Sequence, residues 1–117
     1  MQYMLMIFGN EGAQATMTKA DGEQMMSAYR VYTDALVKAG VMKEGNPLQN
    51  SSTASTVRVK DGKTKVLNGP YAESKEQLGG YYVIEVADLD AALSWAAKCP
   101  GAQHGTIEVR PVMPMTM

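Results

Sequence analysis

The densest group of side chains able to do chemistry is Glu73-Ser74-Lys75-Glu76-Gln77, in which two carboxylates flank an amine. Such groups can polarise or hydrogen-bond a small ligand, and the same spacing also describes a solvated bend whose ion pairs contribute little. Just upstream, Asn68-Gly69-Pro70-Tyr71 adds an amide and a phenol at a corner where proline fixes its own φ and pushes Gly69 out of the helical region. Tyr71, Tyr81 and Tyr82 can supply a π surface with hydroxyl handles, although tyrosine is also well suited to strands and interfaces. His104 is the one imidazole of the chain, and a group titrating near neutrality can serve as a base, while a lone loop histidine is more often plain surface. Arg110 with Glu108 or Glu85 reads as an ion pair on a covered sheet face or in a pocket. The candidates for catalysis are therefore His104 and Tyr71. Those for holding a ligand are Asn68, Tyr71, Glu73, Lys75, Glu76, Tyr82 and Arg110.

Several function classes find no support. The single cysteine, Cys99, makes no internal disulfide, and no Cys/His spacing suits a metal. Glycine-rich phosphate loops, nucleophile elbows and HExxH motifs are lacking, so no cofactor is expected. A net charge of −1 gives no field for nucleic acid or anionic membrane. No run nears the roughly 18 apolar residues of a membrane span. Length 117, 45% hydrophobic and 20% charged residues describe one soluble domain, placed in the cytoplasm.

The positioning elements follow from periodicity. Residues 2–8 alternate apolar groups on both faces of a strand, with Met4, Met6, Met25 and Met26 as core methionines. A Gly/Ala/Asn/Thr loop over 9–17 leads to a helix capped by Thr18 and running to about Ala39, with Met25, Tyr29, Tyr32 and Leu36 as its buried stripe and Gly40 ending it. Residues 41–55 read as a short strand or extended loop with a turn at Gly45-Asn46-Pro47. Residues 56–60 and 63–67 form a hairpin around Asp61-Gly62, valines on one face and Arg58, Lys60, Lys63 and Lys65 on the other. A strand over 81–86 follows, then a helix capped by Asp88 with Leu89, Leu93, Ala96 and Ala97 facing the sheet. A last strand spans 106–110, and a Pro- and Met-rich tail is loose or packed on a partner.

The order predicts an α+β fold of ferredoxin-like rhythm with the hairpin as an insertion. Its helices can cover one sheet face only, and a second copy of the chain can cover the other, which predicts a homodimer.

Residues 68–86, with Glu73-Ser74-Lys75-Glu76-Gln77-Leu78-Gly79-Gly80-Tyr81-Tyr82 at their centre, closely resemble the DGPF branch of the YCII-related family. The opening Met1–Ile7, Asp88–Leu93 and Ile107–Pro111 extend the resemblance over nearly the whole chain. It implies a dimeric α+β barrel. The signature Asp-Gly-Pro-Phe stands here as Asn68-Gly69-Pro70-Tyr71, a neutral amide in place of a carboxylate. Related proteins carry a His and Asp pair proposed as catalytic, and His104 is not at the matching position. Many bacterial members are encoded beside extracytoplasmic-function sigma factors, which makes a sigma factor a candidate partner through the basic hairpin. The expected function is small-molecule binding or a regulatory accessory role, with a cofactor-independent isomerase, hydrolase or monooxygenase as the alternative.

Overall fold

The computed structural model describes residues 1–115; the end of the expected loose tail, residues 116–117, lies outside them. The elements in chain order are β1 (Gln2–Gly9), α1 (Glu11–Gln14), α2 (Lys19–Lys38), β2 (Met42–Pro47), β3 (Ser55–Lys60), β4 (Lys63–Asn68), β5 (Gln77–Glu85), α3 (Leu89–Lys98) and β6 (Thr106–Pro111), with 3-10 turns at Ser51–Thr53 and Pro100–Gln103. Four strands make one antiparallel sheet in the order β2-β5-β1-β6, and among the described residues β3 and β4 pair only with each other. β1 and β2 thus run the same way with β5 between them, and β5 and β6 do so around β1. The two β-α-β units are split and interleaved. The fold is α+β, with antiparallel sheets and the hairpin inserted between β2 and β5.

Register decides which side of the sheet is core. Leu5 lies opposite Tyr82 and Val109, and Tyr3 opposite Ile84, so these side chains share the face that α2 and α3 cover. Leu5, Leu36 and Ile84 are fully buried there. On the other face Met4 is paired with Val83 and Arg110, Met6 with Tyr81 and Glu108, and Phe8 with Leu78 and Thr106. The apolar members of this open face are only half-buried, so the expected core methionines Met4 and Met6 lie on the uncovered side. Met26, also expected inside, is 67% exposed, and Met25 is half-buried. Between Ile7 and Phe8 the β1-β5 register slips by one residue, and Gly79 is left without a partner.

α2 follows its sequence. Thr18 accepts from the Asp21 amide, Tyr32 and Leu36 are buried, and Gly40 leaves the helix at φ 73°. α3 does not. Its buried line is Ala92, Ala96 and Cys99, whereas Leu89 and Leu93 are each 47% exposed and Ala97 is exposed. Steps of four and three along small residues let this helix approach the sheet, and the leucines sit on its outer flank. The expected turn at Gly45-Asn46-Pro47 belongs instead to β2. As an edge strand β2 tolerates proline, and Gly45 lies opposite Tyr82, where a Cβ would come within 2.7 Å of the ring. The 9–17 loop holds a helical turn, α1, because the Asn10 side chain caps the Ala13 amide. β5 begins at Gln77 rather than Tyr81.

A phenol cluster joins the helices to the sheet. Tyr32 meets Tyr82 edge-on at 5.4 Å between centroids and Trp95 at 6.3 Å, and its hydroxyl donates to the Trp95 carbonyl at 2.7 Å. Thr33 and Tyr82 share a hydroxyl–hydroxyl bond of 2.7 Å. Burial pushes the phenols of Tyr29, Tyr32 and Tyr82 and the Cys99 thiol above their ordinary values; at Tyr82 the Thr33 bond opposes this, and at Cys99 the Gly101 backbone does.

Two outcomes follow for stability. In urea denaturation Leu36→Ala lowers stability by roughly 2–5 kcal/mol, and Leu93→Ala changes it by less than about 0.5 kcal/mol. Equal losses would contradict the α3 orientation. The raised groups also set a pH response. Below about pH 8.5 both states keep these protons; above it, first the thiol and beyond about pH 10 the phenols lose them more readily in the unfolded chain than in the fold. Stability therefore falls as pH rises through this window, and a flat profile from pH 8 to 11 by urea titration would contradict the burial of the cluster.

Candidate functional site

The bend after the Asn68-Gly69-Pro70 corner is held from below rather than from within. Gln77 accepts from the Glu11 amide at 3.0 Å and donates to the Ser74 carbonyl at 2.6 Å. The Glu11 carboxylate in turn accepts from the Ser51 amide at 2.8 Å and the Ser51 hydroxyl at 2.7 Å. One short network thus ties α1, the Ser51–Thr53 turn and the bend into a frame.

Inside this frame is a cleft of about 390 Å³. Phe8, Leu48, Ala54, Pro70, Ala72 and Leu78 give it apolar walls, and Asn50, Ser51, Ser74, Glu76 and Gln77 bring polar groups. Among the described residues Glu76 is its one ionisable lining residue. The Glu76 Oε1 atom accepts from the Thr106 hydroxyl at 2.7 Å, which fixes the carboxylate against β6. Phe8 and Leu78 belong to the open face of the sheet, so the cleft sits at one end of that face.

The other sequence candidates do not gather here. Asn68 and Tyr71 line a separate hollow of about 240 Å³ at the root of the hairpin with Arg58, whose guanidinium stands 6.0 Å from the centre of the Tyr71 ring; Pro70 borders both spaces. Glu73 and Lys75 are exposed on the bend and line neither space. Tyr82 points to the helices and is core. His104 is exposed after the Pro100–Gln103 turn and lines neither space. Arg110 pairs with Glu108 at 2.6 Å on the open face. There too Tyr81 donates to Glu44 at 2.8 Å and accepts from the Asn46 amide at 3.0 Å, a braced phenol that pairs β5 with the sheet edge.

Phe8, Leu48, Ser51 and Glu11 escaped the sequence reading. For Phe8 a signal existed, since it continues the Met4, Met6 alternation. Among the described residues no helix is long and apolar enough to cross a membrane, and no three metal-ligating side chains converge.

Comparison with known proteins adds kinship to this geometry. Across 97% of this chain and 94% of the other, the fold matches 5-chloro-2-hydroxyhydroquinone dehydrochlorinase (TftG) of Burkholderia phenoliruptrix AC1100, solved in complex with 2,5-dihydroxybenzoquinone, at TM-score 0.56 and 14% identity. That likeness concerns the fold. In sequence, an uncharacterised protein of Rhizobium meliloti (strain 1021) is 34% identical over 114 residues, 96% of this chain and 92% of its own length. The YCII-related domain matches residues 1–116, and the chain belongs to the YCII-related family.

Proposed function

We propose that this protein is a homodimeric, ferredoxin-like binder of a small organic molecule, whose ligand lies in the cleft beneath residues 70–78. The observation that carries this reading is the cleft itself: about 390 Å³ of mainly apolar wall around one braced carboxylate. A few fixed polar groups in an apolar concavity are the usual make-up of a small-ligand site, and this volume falls at the small end of the range. Glu76 orients the ligand through the oxygen that Thr106 leaves free. Tyr71 and Asn68, beyond Pro70, border the approach, and Tyr82 supports the sheet from its covered side. The half-buried open face, with Met4, Met6, Phe8 and Val83, is the surface for the second copy.

A second reading is favoured by the fold shared with a dehydrochlorinase: a cofactor-independent enzyme acting on a small cyclic compound, with Glu76 moving a proton. Fold likeness alone does not carry a reaction across, so binding ranks first.

A thermal-shift panel of hydroxylated aromatics, quinones and small hydroxy acids tests both. Binders raise Tm in the wild type, Ala54→Trp fills the cleft and removes the shift, and Glu76→Gln weakens affinity about tenfold, near 1.4 kcal/mol. A shift that survives Ala54→Trp, or a panel with none, rules against the cleft. Turnover that Glu76→Gln abolishes while binding persists selects the enzyme.

A further inference from the structure

We propose that the β3-β4 hairpin is an arm that docks on a second copy of this chain, its valine face packing over the open face of that copy's sheet and roofing the cleft there. The inference rests on the homodimer reading above and names the element that makes it.

The arm has little reason to stand alone. Val57 lies directly opposite Val66 and Val59 opposite Thr64, so three valines share one face, at 59%, 60% and 67% exposure for Val57, Val66 and Val59. Asp61 and Gly62, both at positive φ, close its tip tightly. Its root is fastened by two bonds, the Gly69 amide to the Ala54 carbonyl at 2.7 Å and the Thr56 hydroxyl to the Gly69 carbonyl at 2.8 Å. An isolated two-stranded hairpin is marginal in water, so an ordered one with an apolar face calls for cover. The arm reaches outward: the radius of gyration is 16.3 Å, against about 13 Å for a compact chain of this length, and the molecule measures 48 × 47 × 18 Å.

Two unmatched surfaces on one chain are best explained by each other. The open face carries Met4, Met6, Phe8 and Val83, all half-buried, without a layer above them. Arg58, Lys60, Lys63 and Lys65 lie on the arm's other face, so docking by the valines leaves all four cations toward solvent and buries no charge. A two-fold axis satisfies both contacts at once, because each copy gives an arm and receives one. Phe8 and Leu78 belong both to the open face and to the cleft wall, so the incoming arm closes the cleft on its solvent side. The site is complete only in the pair.

The test combines sedimentation with directed crosslinking. Wild type is expected to be dimeric at micromolar concentration, and Val57→Lys/Val59→Lys/Val66→Lys to raise the dimer Kd at least 100-fold with unchanged far-UV circular dichroism. Val66→Cys chains mixed with Met6→Cys chains are expected to form a mixed disulfide absent from either alone, a readout independent of how the triple variant folds. A monomeric wild type overturns the dimer and the arm together. A dimer that the lysines leave intact, or that gives no mixed disulfide, overturns the arm alone and leaves the dimer to another surface.

Discussion

A four-stranded sheet with α2 and α3 on one side is the constraint from which the other features descend. The covered face can be closed within the chain, and it is: Leu5, Leu36 and Ile84 are fully buried, and the phenol cluster pins α2 to β5. The uncovered face has no such remedy. Its side chains are a compromise, apolar enough to profit from cover and ringed by Glu44, Glu85, Glu108 and Arg110, which keep it compatible with water. The cleft lies at the end of this face, where β1 gives out and the bend begins. Its position follows from the sheet's one-sidedness.

The second determinant is the manner in which the bend is held. Glu73 and Lys75, the residues that look most chemical in the sequence, point outward, while Gln77 and Glu76 turn inward and are fixed by Glu11, Ser74 and Thr106. Hydrogen bonds from three separate segments replace the packing that a loop lacks. A carboxylate held in this way presents its free oxygen in one direction, which is what a binding group requires.

How much of this was legible depends on the range of the interaction concerned. Local signals read well: the Thr18 cap, the Tyr29, Tyr32, Leu36 stripe, the Asp61-Gly62 turn and its two-faced strands all stand as the residues indicate. Choices made by distant partners did not. Gly45-Asn46-Pro47 looks like a turn until β5 lies beside it, and Leu89 and Leu93 look like the buried stripe until Ala92 and Ala96 take the close approach. The candidate site suffered most, because its walls come from β1, the 48–54 segment and the bend, three regions far apart in sequence whose meeting no local pattern records. Family resemblance marked the bend as important, yet not which of its side chains face inward.

The register slip at Gly79 has a consequence of its own. In an unbroken ladder the alternation of Tyr82, Ile84 and Gly80 would send Leu78 toward the helices, leaving bare backbone beneath Phe8. The unpaired glycine inverts the parity of everything upstream in β5, so that Leu78 lines up with Phe8 and forms a floor. One uncounted residue in β5 thus decides whether Leu78 faces the helices or the cleft, and with it what lies beneath Phe8.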